Sequence, residues 1–200
     1  LADLQRMTAL LMAERAPDDG RILVLGAGGG LELLRFAQMQ PRWSFDGVDP
    51  SGPMLDQARR TLGALAPRAA LHQGYIDDAP EGPFDAACCL LTLHFVPLEQ
   101  RLPTLKAVRR RLRPGAPFVV AHHSFPQDKA GKARWLSRYA AFAVSSGVPP
   151  DDARRAADAI AQRLPAVSPS RDGALLLEAG FKDVELFYCA FTFRGWVATA

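Results

Sequence analysis

The sequence predicts an α/β fold in which a mostly parallel sheet carries helices on both faces. Two observations favour this class. Short apolar runs of strand length alternate with longer segments of helical periodicity along most of the chain. One run, residues 84–91, is apolar almost throughout, as expected for a strand buried on both faces. The length of 200 residues and the 48% hydrophobic content suit one domain, residues 1–200, with a sizeable core.

Each predicted element follows from a local signal. Apolar positions spaced three and four apart predict helices, unbroken apolar runs predict strands, and proline or glycine marks the ends. The predicted strands cover residues 22–25, 43–48, 69–74, 84–91 and 117–121. The predicted helices cover residues 4–15, 31–39, 53–65, 103–112, 132–145, 151–163 and 172–179. A terminal antiparallel hairpin is predicted from residues 184–193 and 196–199, with a tight turn at Arg194 and Gly195.

Residues 21–34 form the candidate ligand-binding segment. An apolar strand runs into five turn residues, Gly26 to Gly30, and a helical pattern follows at once. Glycines let the backbone approach a ligand closely, and Asp49 ends the next predicted strand, where a carboxylate can accept hydrogen bonds from ribose hydroxyls. The pattern therefore predicts a nucleoside pocket, with an ordinary tight turn between strand and helix as the alternative.

The glycine spacing separates two kinds of nucleoside ligand. A dinucleotide fingerprint reads G-x-G-x-x-G, but Leu31 stands where its last glycine would be. The observed G-A-G-G-G fits G-x-G-x-G instead. Together with G-V-D-P-S-G-P-M-L-D-Q-A at residues 47–58, it resembles the class I methyltransferases that use S-adenosyl-L-methionine (SAM). This resemblance covers nearly the whole chain. It implies a Rossmann-like fold with a seven-stranded, mostly parallel sheet, a C-terminal antiparallel hairpin, SAM as cofactor and S-adenosyl-L-homocysteine (SAH) as product.

Within that class, four segments resemble the carboxy-SAM synthases that serve tRNA wobble-uridine modification. They are L-R-P-G-A-P-F-V-V, T-L-H-F-V, L-L-E-A-G-F and F-Y-C-A-F-T-F-R-G-W-V-A. Those enzymes carry an arginine, six residues before the Phe of an Ala-Gly-Phe motif, that pairs with the extra carboxylate of carboxy-SAM. Leu175 stands there in this chain, and Leu90 replaces an asparagine. Because leucine supplies neither a cation nor forked donors, we expect binding of ordinary SAM.

The resemblance also implies which residues contact the cofactor. It assigns the methionine end to Gly26, Ala27 and Gly28, the ribose to Asp49, the adenine to Pro50, Tyr75 and Ile76, and a backbone contact to Leu90. Met54 is expected either to pack near the adenine or to belong to the core. The family usually has Gly-Asp where this chain has Gly74 and Tyr75. Adenine recognition is therefore expected to depend on backbone groups, on Ile76 packing, or on Asp77.

His94 is the candidate catalytic residue, because the loop after the fourth predicted strand would deliver it toward the transferred methyl group. Its alternative is a loop histidine bonded to the backbone. His122 and His123 follow the fifth strand with weaker support, and a general base is optional for methyl transfer. Adjacent residues on an extended chain point to opposite sides, and there is no Cys-x-x-Cys motif, so no metal site is expected.

Charge and composition suggest partners and location. The net charge of +3 makes the surface mildly basic. The arginines at 109–111 and 113 favour a solvated helix face, with nucleic-acid contact as the alternative. Three cysteines, two of them adjacent in an apolar run, predict core residues in a reducing compartment. No signal peptide or membrane-spanning run is visible, so a cytoplasmic protein that does not enter a membrane is expected. A homodimer is expected only by analogy with the carboxy-SAM synthases.

Two segments bear on access to the predicted pocket. A helical insertion at residues 126–170 is expected either to cap a substrate pocket or to cover the sheet. The first helix begins without a recognisable cap, so residues preceding Leu1 are expected to be missing or disordered and could complete a cover over the cofactor.

Three functions remain open from the sequence. The first is a SAM-dependent methyltransferase acting on a small molecule. The second is a carboxy-SAM or tRNA-related enzyme, which Leu175 disfavours. The third is a catalytically silent SAM-binding module, consistent with Tyr75 in place of the usual acid and with the short N-terminus. No recognisable motif identifies the methyl acceptor.

Overall fold

The computed structural model describes residues 2–200 and is built on one seven-stranded sheet. The strands are β1 (Arg21–Leu25), β2 (Ser44–Asp49), β3 (Ala69–Gln73), β4 (Ala86–Leu90), β5 (Pro117–His123), β6 (Lys182–Ala190) and β7 (Phe193–Thr199). Their spatial order is β3-β2-β1-β4-β5-β7-β6. The first five strands run parallel, while β7 is antiparallel to both β5 and β6. The predicted seven-stranded, mostly parallel sheet with a C-terminal antiparallel hairpin is confirmed.

Seven helices pack around this sheet within the described residues. They are α1 (Ala2–Ala13), α2 (Leu31–Met39), α3 (Gly52–Leu62), α4 (Leu98–Arg110), α5 (Lys129–Ser145), α6 (Pro150–Arg163) and α7 (Pro169–Glu178). Alternate residues of each central strand enter different cores. On β1, Ile22 and Val24 pack with α1, α2 and α3, while Leu23 and Leu25 pack with α4 and α7. Helices on both faces therefore follow from an apolar run whose side chains alternate.

The carboxyl ends of β1, β2 and β4 meet where the chain order reverses, because β1 lies between β2 and β4. Open parallel sheets bind ligands in the crevice at such a point. The glycine turn after β1, the acid at the end of β2 and the loop after β4 are therefore brought to one edge of the sheet. This placement agrees with the location predicted for the pocket.

Two predicted boundaries are wrong. Helix α4 begins at Leu98 and contains Pro103, which the sequence places at the helix start. In the terminal hairpin, Arg194 and Gly195 lie inside β7, and the chain turns at Phe191 and Thr192. Gly195 is required by packing rather than by a turn, since a Cβ there would lie 2.9 Å from the Phe187 ring.

The insertion at residues 126–170 contains α5 and α6, which pack on each other around Phe125, Leu136 and Ala157. Tyr139 of α5 lies edge-on to His123, with ring centroids 5.7 Å apart. This contact attaches the insertion to the far end of β5. The insertion thus covers the end of the sheet beside β5 and β7.

The basic cluster at the end of α4 is largely engaged within the protein. Arg111 is buried and donates hydrogen bonds to the carbonyls of Ala79, Pro80 and Ala107. Arg113 pairs with Asp85. Both side chains therefore have internal partners, which leaves less of this cluster for a nucleic acid than the sequence suggests.

The adjacent cysteines Cys88 and Cys89 are buried in β4 as predicted. The same prediction is wrong for Cys189, which is exposed on β6. Within residues 2–200, no helix combines the length and apolar character needed to cross a membrane.

Candidate functional site

The turn after β1 is shaped by glycine. Gly26 has a φ of +79°, and a Cβ at this position would lie 1.9 Å from Oγ1 of Thr92 in the loop after β4. Gly28 has a φ of +45° and donates its backbone N–H to Oδ2 of Asp49 over 2.9 Å. Any larger residue at Gly26 would push apart the two loops, so this glycine permits a close approach that forms one wall of the site.

Asp49 is held in place by two backbone donors. Besides the bond from Gly28, Oδ1 of Asp49 accepts a hydrogen bond from the N–H of Ser51 over 2.9 Å. Ser51 in turn is the N-cap of α3. Each carboxylate oxygen can accept a further hydrogen bond, since an ionised carboxyl has about four acceptor positions. Asp49 is therefore fixed in direction but retains acceptor capacity toward the space beside it.

That space is a cavity of about 1050 Å³ at the carboxyl ends of β1, β2 and β4. It matches the upper range of ligand pockets, ~300–1,000 Å³. Every residue predicted to contact a cofactor lines it except Ala27. The sequence therefore predicted residues that lie together around one cavity, and their contacts with a cofactor stay a prediction.

Ala27 faces away from the cavity. Its side chain is fully buried among core residues, and its backbone N–H donates to the carbonyl of Val48 over 3.0 Å. The structure places it as a link between the glycine turn and β2. A contact between Ala27 and a cofactor stays a prediction.

The end of the cavity next to β3 is formed by residues 74–77 and by Met54. Tyr75 is 70% exposed, and its backbone N–H is already bonded to Oδ2 of Asp78 over 2.8 Å. Ile76 is buried, and the side chain of Asp77 lines the cavity. Of the three alternatives for adenine recognition, Ile76 packing and the Asp77 carboxyl fit this arrangement, whereas the N–H of Tyr75 is occupied.

His94 lies behind the cavity wall. The ring is buried, and its Nδ1 accepts a hydrogen bond from the backbone N–H of His123 over 3.1 Å. Burial, followed by the nearby charges of His123, His122 and Arg101, lowers the pKa of His94 to about 2. This is the position of a loop histidine bonded to the backbone. The geometry gives no support to a role as base.

His122 and His123 are also buried away from the cavity. His123 bonds through Nδ1 to Oγ1 of Thr192 over 2.9 Å, and burial lowers its pKa to about 4. His122 lies 3.1 Å from Oδ2 of Asp172, which is itself buried near Arg101. These groups connect β5 to the turn between β6 and β7, to α7 and to α4. They form part of the interior.

Leu175, the position at which the carboxy-SAM branch has its arginine, is a buried core residue of α7. It packs in the same apolar cluster as Phe118 and Phe181. It does not line the cavity.

Several lining residues were not predicted from the sequence. Glu32 lies in the first turn of α2, and burial raises its pKa to about 7 while its own backbone N–H lowers it and the Asp49 charge raises it. Leu4 and Gln5 of α1, Phe95 after β4, and Gln100 and Thr104 of α4 complete the wall. The four-residue spacing of Gln100 and Thr104 was a readable signal, since it puts both on one helix face. The contribution of α1 depends on tertiary packing alone.

The structure does not gather a metal site in the part of the chain it describes. Among residues 2–200, no group of three or more His, Cys, Asp or Glu side chains could hold a metal ion. Metal-independent chemistry remains a prediction.

Comparison with known proteins tests the resemblance that the sequence predicts. Residues 22–115 match the family model of a methyltransferase domain. The carboxy-SAM synthase of Campylobacter fetus is 24% identical over 196 residues, which cover 98% of this chain and 84% of the relative. The match confirms the expected resemblance and, at the level of the domain, the expected enzyme class.

Solved structures confirm the fold. A candidate O-methyltransferase from Nostoc punctiforme superposes with a TM-score of 0.74 at 20% identity, covering 100% of this chain and 56% of that one. Human N-acetylserotonin methyltransferase, solved with SAM, gives 0.67 at 13% identity, covering 99% of this chain and 53% of that one. The chain thus spans just over half the length of these two proteins. The expected cofactor, SAM, is the ligand of the human neighbour.

Proposed function

We propose that this chain transfers a methyl group from SAM to a small-molecule acceptor. The observation that carries the proposal is Asp49, fixed by the backbone donors of Gly28 and Ser51 at the cavity edge. A carboxylate with free acceptor capacity, next to a glycine turn that admits a ligand closely, suits the two hydroxyls of a ribose.

The remaining cavity residues fit the rest of an adenosyl ligand. Ile76 and Met54 provide apolar surface for a flat base, and the Asp77 carboxyl can accept a hydrogen bond from an exocyclic amine. Gly26, Gly28 and Leu90 present backbone along the path from Asp49 toward β4. The nucleoside would therefore lie across the ends of β2 and β1, with its tail toward the loop after β4.

The part of the cavity beyond β4 is suited to an acceptor. Its wall combines apolar side chains with amides and a hydroxyl, namely Leu4, Leu91, Phe95, Val96, Pro97, Gln5, Gln100 and Thr104. Within the part of the chain that the structure describes, no lysine, arginine or histidine lines the cavity. Phosphate groups of a nucleic acid would find no cationic partner there, so a small molecule fits better than tRNA.

Methyl transfer requires the protein mainly to align the acceptor with the methyl group. When bound, SAM would supply a methyl group activated by its sulfonium centre: the acceptor would bond to the methyl carbon in line as the carbon–sulfur bond breaks, and SAH would be the leaving group. This chain would hold the nucleoside through Asp49, orient the acceptor through Gln100 and Thr104, and exclude water with Leu4 and Phe95. Since no histidine lines the cavity, His94 is not needed for this mechanism.

A carboxy-SAM enzyme is the second candidate, favoured by the similarity to the carboxy-SAM synthase of Campylobacter fetus. Carboxy-SAM carries an additional carboxylate that needs a donor or cation. The cavity lining supplies no cation, and Leu175 lies in the core. We therefore favour ordinary SAM.

Two assays test the proposal in sequence. Titration calorimetry with SAM, SAH and carboxy-SAM should show binding of the first two and weaker binding of the third. A methyl-release assay with labelled SAM, run separately against metabolite and tRNA pools, should then show transfer to the metabolite pool. Preferential binding of carboxy-SAM would contradict the cofactor assignment, and SAM binding without any transfer would favour a silent SAM-binding module.

A further inference from the structure

The cavity wall has an unbalanced charge. Among the described residues, three carboxylates line it, from Glu32, Asp49 and Asp77, and no lysine, arginine or histidine does. Asp49 is bonded to two backbone N–H groups, and Asp77 is exposed to solvent. Glu32 is only partly exposed, unlike Asp77, and its carboxyl is bonded by its own backbone N–H rather than by the two neighbouring backbone donors that hold Asp49.

The surroundings of Glu32 disfavour its charge. Removal from water raises its pKa to about 7, its own backbone N–H offsets part of that effect, and the negative charge of Asp49 adds to it. A carboxylate taken from water is unfavourable unless a cation or donors accompany it. Among residues 2–200, no lysine, arginine or histidine lines this cavity, so an ionised Glu32 would gain from a cationic group on a bound ligand.

The position of Glu32 indicates which part of a ligand it meets. It is the second residue of α2, directly after the glycine turn that follows β1. It lines the same cavity as Asp49 at the end of β2 and Leu90 at the end of β4. Glu32 thus belongs to the wall between the ends of β2 and β4, which flank β1. A nucleoside anchored on Asp49 would bring the tail on its 5′ side past this carboxyl.

We propose that Glu32 is a specificity-determining residue whose carboxylate pairs with the ammonium group on the amino-acid tail of the adenosyl ligand. This inference rests on the proposed function, because it takes the ribose to lie on Asp49. It adds a requirement that Asp49 and the glycine turn do not impose. The cavity should discriminate between adenosyl ligands by the positive charge of their tails.

The test compares two ligands that differ only in that ammonium group. They are SAH and 5′-S-(3-carboxypropyl)-5′-thioadenosine, which lacks the amino group. Both are titrated by calorimetry at pH 8 into the wild type, Glu32→Gln and Glu32→Asp. Glu185→Gln is the matched control, because Glu185 is exposed on β6. Circular dichroism and thermal melts verify folding of each variant.

We expect Glu32→Gln to weaken SAH binding roughly 10- to 100-fold, the range of one charge-assisted hydrogen bond. Binding of the analogue should stay within about twofold of wild type, because it lacks the ammonium group that would pair with Glu32, and groups that do not interact contribute independently. Glu32→Asp should recover part of the SAH affinity because it keeps the charge. Glu185→Gln should match wild type with both ligands.

Other outcomes overturn the inference. Equal weakening of both ligands by Glu32→Gln would show a packing role, and unchanged SAH binding would show no role. If Glu32→Gln and Glu32→Asp both fail to fold, equal affinity of wild type for the two ligands would still refute the pairing, and a preference for SAH of at least about tenfold would support it. Wild type that binds SAH with no dependence on the amino group overturns only the role of Glu32. Wild type that binds neither ligand overturns the proposed function as well.

Discussion

Replacing Asp49 by asparagine probes the nucleoside site with little change in side-chain volume. Both carboxylate oxygens accept backbone hydrogen bonds over 2.9 Å, from Gly28 and from Ser51. An amide has one oxygen acceptor and one NH₂ donor. In the variant, the N–H of either Gly28 or Ser51 would therefore face the amide NH₂ and lose its acceptor. The side chain would also present no negative charge to the cavity.

The expected loss of affinity follows from those bonds. A hydrogen bond to a charged group contributes about 1.5–3 kcal/mol, and a second ribose hydroxyl would lose part of its bond as well. The sum is on the order of 2–4 kcal/mol, which corresponds to roughly 30- to 1,000-fold weaker binding of SAM and SAH. We expect a smaller loss of folding stability, about 1–3 kcal/mol, from the backbone donor left without an acceptor.

Titration calorimetry of SAM and SAH against wild type and Asp49→Asn measures the first effect, and thermal melts measure the second. Asp56→Asn is the control, since Asp56 is exposed on the next helix and pairs with Arg59. That substitution should leave both ligand affinities unchanged. If Asp49→Asn binds SAM as tightly as wild type while remaining folded, the ribose role of Asp49 is refuted.

Three further substitutions test other parts of the account. Glu32→Gln should stabilise the ligand-free protein at neutral pH: the native pKa, raised from 4.5 to about 7, makes wild-type stability fall as pH rises between those values. The gain should be at most about 3 kcal/mol at pH 8 and should shrink toward pH 5 in chemical denaturation series, and a gain independent of pH would contradict it. His94→Asn should lower the melting temperature through the lost bond to His123, yet leave kcat of the folded enzyme within about threefold, below the ~100-fold expected of a lost general base. A loss of kcat of ~100-fold or more at unchanged folding would restore His94 as a catalytic residue. Leu175→Arg should destabilise the protein by more than ~3 kcal/mol, because it buries a cation in the core, and should not create carboxy-SAM binding. A folded variant that gains carboxy-SAM affinity would place residue 175 at the site instead.

The sequence predicted most of the fold because its strongest signals are local. The apolar runs of β1 and β4 and the glycines after β1 report directly on burial and turn geometry. The errors come from residues whose effect is tertiary. Gly195 serves packing against Phe187 rather than a turn, and Pro103 is tolerated inside α4. Neither effect can be predicted from the residues that are adjacent in sequence.

The part of the cavity around Asp49 was predictable for a similar reason. Asp49 and the glycine turn follow strands whose ends meet at one edge, so sequence order fixes their proximity. Glu32 was missed because its unusual state arises from burial and from Asp49, which only the folded chain brings near. His94 was predicted to face the cavity because it follows β4. The short helical turn at residues 93–95 buries its ring instead.

The most direct test of the account is a crystal structure of this protein with SAH bound. The account predicts the ribose hydroxyls within hydrogen-bond distance of the Asp49 carboxylate, the base beside Ile76, and the amino group of the tail beside Glu32. Ligand density elsewhere on the molecule, or in the cavity with its ribose away from Asp49, would contradict the central claim.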